Sequence, residues 1–203
     1  MSYLNGVIDI RMDNHSKEIY GSIVQALGTI VAAIGSTPSV VLKEEDLQTL
    51  NLWGNVLQAV GNALEADGQG KVSLEKIGNE IQSIGNATVT TGLVINFNTE
   101  TIQKLIINGN WLQALGGLVN VADEFEDETM AGQAYNIIGN LLQAIGNSMQ
   151  AFSGVYQLNT MDNPFSVQTL DVVGSWIQAM GSIISVIGQV LEETEETKLG
   201  IDE

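Results

Sequence analysis

The sequence predicts an all-α protein: about six amphipathic helices from an internal repeat, packed as an antiparallel bundle through glycine-flanked heptad seams. Three observations carry this expectation. One helical phrase recurs six times along the 203 residues, its apolar residues follow a period of seven, and the period of two that a strand needs is missing. The copies are GSIVQALG at 21–28, GNVLQAVG at 54–61, GNEIQSIG at 78–85, GNWLQALG at 109–116, GNLLQAIG at 139–146 and GSWIQAMG at 174–181. They start 33, 24, 31, 30 and 35 residues apart. Each carries glutamine at its fifth place: Gln25, Gln58, Gln82, Gln113, Gln143 and Gln178.

Apolar residues occupy the fourth and seventh places, as with Val24, Leu27, Val31 and Ile34 in the first copy. That three-then-four spacing is the pattern of a packed helical seam. Glycine follows the second apolar residue and flanks the seam. Gly21, Gly28, Gly54, Gly61, Gly78, Gly85, Gly109, Gly116, Gly139, Gly146, Gly174 and Gly181 are therefore assigned to repeat packing. Glycine inside a helix costs about 1 kcal/mol relative to alanine. Roughly fourteen of them cost on the order of 14 kcal/mol, as much as a domain's net stability. Close approach of helix backbones, where a side chain would clash, is the expected compensation.

Caps and breakers place the elements in order. Residues 1–15 form an N-terminal extension, and 16–195 form one six-helix domain. The first helix is expected over 17–35 and ends before the Ser36-Thr37-Pro38 loop. The second covers 44–66, up to the Gly68-Gln69-Gly70 turn. The third covers 74–95, capped by Ser73 with Glu75 in the first turn, although Ala87 to Ile95 is rich in β-branched residues. The fourth covers 99–124, capped by Asn98 or Thr99. The fifth and sixth cover 129–158 and 166–195, separated by a loop at Met161-Asp162-Asn163-Pro164. Residues 196–203 form an acidic tail, and the stretch from Glu192 onward is expected to fray.

The charge pattern limits function. Twenty-four acidic residues against seven basic ones leave a net charge of −17, which argues against nucleic-acid binding. The absence of cysteine excludes disulfides, thiolate metal sites and cysteine nucleophiles, and a single histidine excludes His-rich metal sites. The N-terminus, MSYLNGVIDIRMDN, lacks the form of a secretory signal, so a cytoplasmic location or release without a cleaved signal is expected.

Stretches 19–42, 81–99, 105–122, 129–161 and 172–191 carry no charge, and the acids gather between them. Helix faces away from the apolar seam thus carry Asn, Gln, Ser, Thr, Ala and Gly. Such faces could touch other helices, meet lipid, or be solvated amides. The polar content of each stretch argues against a constitutive transmembrane span. Self-association or a protein partner is the favoured reading, and a membrane is the alternative. Trp53, Trp111 and Trp176 sit at or before the phrase and read as seam packing or as an interfacial anchor. The six glutamines read as a duplicated packing position or as a hydrogen-bonded ladder; with the tryptophans they form the candidate interface.

A search for chemistry finds no catalytic, cofactor-binding or metal site. His15 reads as a solvated loop residue, and no G-x-S-x-G elbow or phosphate-binding loop is present. Asp123 to Glu128 is an acidic loop without EF-hand spacing, suited at most to weak Ca²⁺ binding. Glu65 to Lys71 reads as a turn.

The phrase G-N-x-L-Q-A-[IV]-G-N, clearest at Gly54–Asn62 and Gly139–Asn147, resembles an uncharacterised family of short repetitive proteins from Gram-positive spore-forming bacteria. Copies one and six depart from it with serine at the second place, and copy three carries Glu80 at the variable place. The resemblance implies an all-helical repeat, a bacterial source and no catalytic residue. The expected function is a non-enzymatic structural or interaction protein that self-associates. The alternative is a membrane-active, pore-forming or toxin-like protein that inserts after a trigger such as acid.

Overall fold

A computed structural model describes residues 13–125, 130–159 and 164–199. These form six helices: α1 (Asn14–Ser36), α2 (Glu44–Gly68), α3 (Leu74–Val94), α4 (Thr99–Asp123), α5 (Gln133–Asn159) and α6 (Pro164–Leu199). No strand occurs among the described residues. The extension 1–12, the segment 126–129 of the acidic loop, residues 160–163 and the last four residues lie outside them.

Local chemistry sets the helix starts. Asp13 caps α1 by accepting from the Ser16 N–H at 2.7 Å, Ser73 caps α3 from Lys76 at 2.9 Å, and Asn98 caps α4 from Thr101 at 2.9 Å. Gly70 takes φ +49° in the tight turn between α2 and α3, a left-handed conformation suited to glycine. In the β-branched stretch of α3, the Thr88 and Thr91 hydroxyls donate to the carbonyls of Ile84 and Ala87, four residues back. Those threonines therefore satisfy themselves within the helix, which runs on to Val94.

Each helix packs on its two neighbours in sequence, and α1 packs on α6, so the six close into a ring. Successive helices alternate in direction. Three hairpins, α1–α2, α3–α4 and α5–α6, are closed by reciprocal glycine pairs. A Cβ added at Gly21 would lie 2.8 Å from the Gly61 carbonyl oxygen, and one at Gly61 would lie 2.6 Å from the Gly21 oxygen. The same exchange joins Gly78 with Gly116, Gly85 with Gly109, Gly139 with Gly181 and Gly146 with Gly174, at 2.5–2.8 Å. Gly28 meets the Gly54 carbonyl oxygen at 2.7 Å without the reciprocal contact, because Gly54 abuts Ala32 instead. All twelve repeat glycines thus stand where neighbouring backbone leaves no room for a side chain.

The core is the reverse of the one expected. The apolar seam is not a seam: Leu27 is 53% exposed and Ile34 38% exposed, while Val24 and Val31 are half-buried. The largest fully buried side chains are Gln58, Asn62, Asn79, Asn86, Asn147, Thr29, Ser153 and Ser182. Of the buried apolar residues, most are alanine, and the larger ones are Leu47, Val89, Ile107 and Val167. Within the repeat, the second and fifth places point inward and carry Asn or Ser and Gln, as in Asn55 and Gln58 or Asn140 and Gln143. These places have the same three-then-four spacing as the apolar ones. The Asn, Gln and Ser residues expected on outer faces therefore form the interior, and Leu, Ile and Val form the exterior.

Of the two readings of Trp53, Trp111 and Trp176, seam packing is corrected. They are exposed on the outer surface and are not packed in a core, although Trp111 meets Phe152 edge-on at 5.1 Å and Trp176 donates to the Thr37 hydroxyl at 3.0 Å. The acidic tail is corrected too. Helix α6 continues to Leu199, and Glu192, Glu193 and Glu196 are buried in it.

Candidate functional site

All six repeat glutamines are buried in the ring's interior, so none is an outward-facing interface residue. Side chains on a helix lean toward its N-terminus. Because neighbouring helices run in opposite directions, the glutamines separate into two tiers. Gln25, Gln82 and Gln143, on α1, α3 and α5, lean toward the end that holds those N-termini. Gln58, Gln113 and Gln178 lean the other way. Gln25 donates to Gln143 at 2.5 Å in the first tier. In the second, Gln178 donates to Gln58 at 2.8 Å and to Gln113 at 3.3 Å. Gln150 adds a bond to Gln178 at 2.9 Å. The arrangement is a partial hydrogen-bonded network between helices.

On the side of the first tier lies a small cavity of about 20 Å³, lined by all six helices. Its walls are polar, with Asn62 and Glu65 from α2, Glu75 and Asn79 from α3, and Asn120 beside Glu124. Asn120 donates to Asn79 at 2.7 Å. Beyond the second tier lies a more open cavity of about 160 Å³, lined among others by Asn51, Asn55, Asn110, Gln150 and Asp171.

The end nearer the small cavity is strongly acidic. Glu18, Glu65, Glu124, Glu192, Glu193 and Glu196 are buried there. Gln69 bridges two of the carboxylates by donating to Glu18 at 2.6 Å and to Glu75 at 2.5 Å. Gln189 donates to Glu193 at 2.6 Å. His15 is no loop residue: it sits in the first turn of α1, and its Nδ1 lies 2.5 Å from Glu193 and 3.9 Å from Glu196. This contact ties the start of α1 to the end of α6, where the ring closes.

Sequence reasoning missed these glutamates as a group. Each lies seven or more residues from its repeat glutamine, on the inward stripe, and only the knowledge that this stripe faces inward brings them together. Glu65 belongs to α2, not to a turn, because that helix continues to Gly68. Of the acidic loop, Asp123 ends α4 and Glu124 is buried, and the remainder lies outside the described residues.

Burial pushes the Glu65 carboxyl up to about 8. Burial, with the nearby charges of Glu65, Asp123, Glu124 and Glu193, also holds Glu75 well above the usual carboxylate range. Both residues lie outside the uncharged stretches of their helices, 47–64 in α2 and 81–94 in α3. A carboxyl raised on folding binds a proton more tightly in the folded state than in the unfolded one. Its stabilisation is complete below the ordinary value of 4.5 and is lost as pH rises toward 8. Thermal melts are expected to show stability falling between pH 5 and pH 8. Glu65→Gln should remove up to one proton's share of that slope, about 1.4 kcal/mol per pH unit; an unchanged slope would count against a protonated Glu65.

No curated protein and no solved structure matches this chain. Residues 16–186, which span the six repeat copies, match a family of unknown function, DUF6944, and by that match the chain belongs to this uncharacterised family.

Proposed function

We propose that the protein works inside a lipid bilayer, as a six-helix ring with an apolar outer surface and a polar axis that lets small polar species cross. The inverted partition of side chains carries this reading. A monomer in water cannot leave Leu27, Val60, Ile84, Leu115, Ile145 and Met180, each at least 50% exposed, facing solvent on all six helices while burying its amides. In hydrocarbon the same arrangement is favourable: outer aliphatic groups meet acyl chains, and polar groups find partners within the ring.

The outer uncharged stretches have a suitable length. Residues 47–64 of α2, 105–122 of α4 and 172–191 of α6 reach about 27–30 Å at 1.5 Å per residue, close to the hydrocarbon thickness of ~30 Å. Helices α1 and α6 are long and apolar enough to cross a membrane by composition alone. The other helices dilute their hydropathy with inward amides, which lipid would not meet. Covering by other copies accounts for the surface less well, because a second copy shields one side of a ring and lipid shields the whole circumference. No catalytic role is assigned.

The test is co-flotation of the purified chain with phosphatidylcholine–phosphatidylglycerol vesicles at pH 7 and pH 5, followed by protease treatment. Flotation that resists carbonate extraction, with the core of the chain protected, is expected at both pH values. A soluble, closed oligomer that stays at the bottom of the gradient at both pH values overturns the reading.

A further inference from the structure

The small cavity between the glutamine tiers and the acidic end has the size and lining of a site for a single water. Its volume of about 20 Å³ admits one water and no hydrated metal ion. Four buried polar atoms on its lining residues lack a partner: Nδ2 of Asn62, Nδ2 of Asn79, Oε1 of Glu65 and Oδ1 of Asn120. Two are donors and two are acceptors. A water in this cavity can donate to and accept from the polar groups that line it, whereas a bare cation would meet the amide N–H groups of Asn62 and Asn79. Those four residues are at least nine-tenths buried.

We infer that the polar axis carries protons and excludes metal cations, with Glu65 and the water beside it as the proton-loading pair. This rests on the bilayer reading above. Glu65 stands at the entry to the tiers, with Glu75 of α3 and Glu124, just after α4, facing the same cavity; α1, α5 and α6 present only Ser22, Gln25, Asn136, Asn140, Gln143, Ser185 and Gln189 to it. On the far side Asp171 supplies a carboxyl to the larger cavity. A proton held by the Glu65 carboxyl passes to the adjoining water as hydronium and leaves a carboxylate, which the next proton arriving from the acidic end converts back to the neutral carboxyl. Crossing the tiers requires a water to exchange with an amide–amide bond. The Gln178–Gln113 bond is the longest of that network at 3.3 Å, and Gln113 Nε2 is unpartnered. A dehydrated metal ion would have to shed its whole shell to follow.

The test uses the full chain in phosphatidylcholine–phosphatidylglycerol vesicles containing pyranine, with a pH step imposed while valinomycin and K⁺ clamp the voltage. Proton entry at least tenfold faster than in empty vesicles is expected, with Na⁺ and Ca²⁺ entry, read by trapped indicator dyes, no faster than in empty vesicles. Glu65→Gln should lower the proton rate at least tenfold while flotation and helical circular dichroism stay unchanged, and Glu65→Asp should restore part of it. Na⁺ or Ca²⁺ entry keeping pace with protons overturns the inference, as does a Glu65→Gln variant that conducts like the parent. A chain that floats with vesicles yet passes no protons overturns the inference and leaves the bilayer reading standing. A chain that never floats removes both.

Discussion

Gly61→Leu is expected to prevent the ring from forming. A Cβ at this position would come within 2.5 Å of the Gln25 backbone nitrogen and 2.6 Å of the Gly21 carbonyl oxygen. Both obstacles are main chain in the facing helix, and neither can rotate away as a side-chain tip could. Helices α1 and α2 would have to separate along their contact, which would also disturb the inward alignment of Gln25 and Gln58. Overpacking in ordinary cores costs about 1–3 kcal/mol. Here a rigid backbone blocks relaxation, so a loss at or above the top of that range is expected, enough to unfold a domain of ordinary stability. Gly117→Ala is the matched control. Its nearest neighbours would be the Asn140 carbonyl oxygen at 3.2 Å and the Ala144 methyl at 3.6 Å, and the helix gains up to about 1 kcal/mol from alanine. Thermal melts followed by circular dichroism should separate the two variants widely. Similar melting temperatures would show that the glycine contacts are not what hold the hairpins together.

The second large effect concerns the outer surface. Leu27 and Ile145 lie two residues beyond Gln25 and Gln143, near the middle of the ring's height, and are 53% and 50% exposed. Lysine at either place would be harmless to a protein surrounded by water, within about 0.5 kcal/mol, and would improve its solubility. In a bilayer each lysine at mid-depth costs about 2.5–3.5 kcal/mol. The double variant Leu27→Lys, Ile145→Lys is therefore expected to lose at least a hundredfold in vesicle partitioning while keeping its helical content. If it floats with vesicles as well as the parent does, the outward apolar face does not meet lipid.

Helix number, the starts of α3 and α4 and close glycine approach were legible in the sequence because they depend on local chemistry. Ser73, Asn98 and the Gly68–Gly70 turn act through hydrogen bonds and backbone freedom that any surroundings would leave intact. The side on which the core lies was not legible in the same way. A heptad period gives the direction of an apolar face and says nothing of the medium it meets. Reading Val24 and Leu27 as buried imported the assumption of water. The contrary signal was present in the glycines, which adjoin Asn55, Asn79 and Asn140 in the phrase, and in outer stretches without a single lysine or glutamate. Glu18, Glu65 and Glu193 were unreadable as a group because they come from three helices and meet only when the ring closes.

The opposed lean of the two glutamine tiers has a consequence for direction. Alternating helices give the two tiers opposed leans, so under the proton-carrying proposal the lean of the glutamines by itself favours neither direction. Under the proton-carrying proposal, any rectification would originate at the ends of the ring, where buried glutamates crowd one end and Asp171 stands near the other. Exchanging carboxyl groups between the two rims should therefore reverse the preferred sense of flow without altering the filter between them.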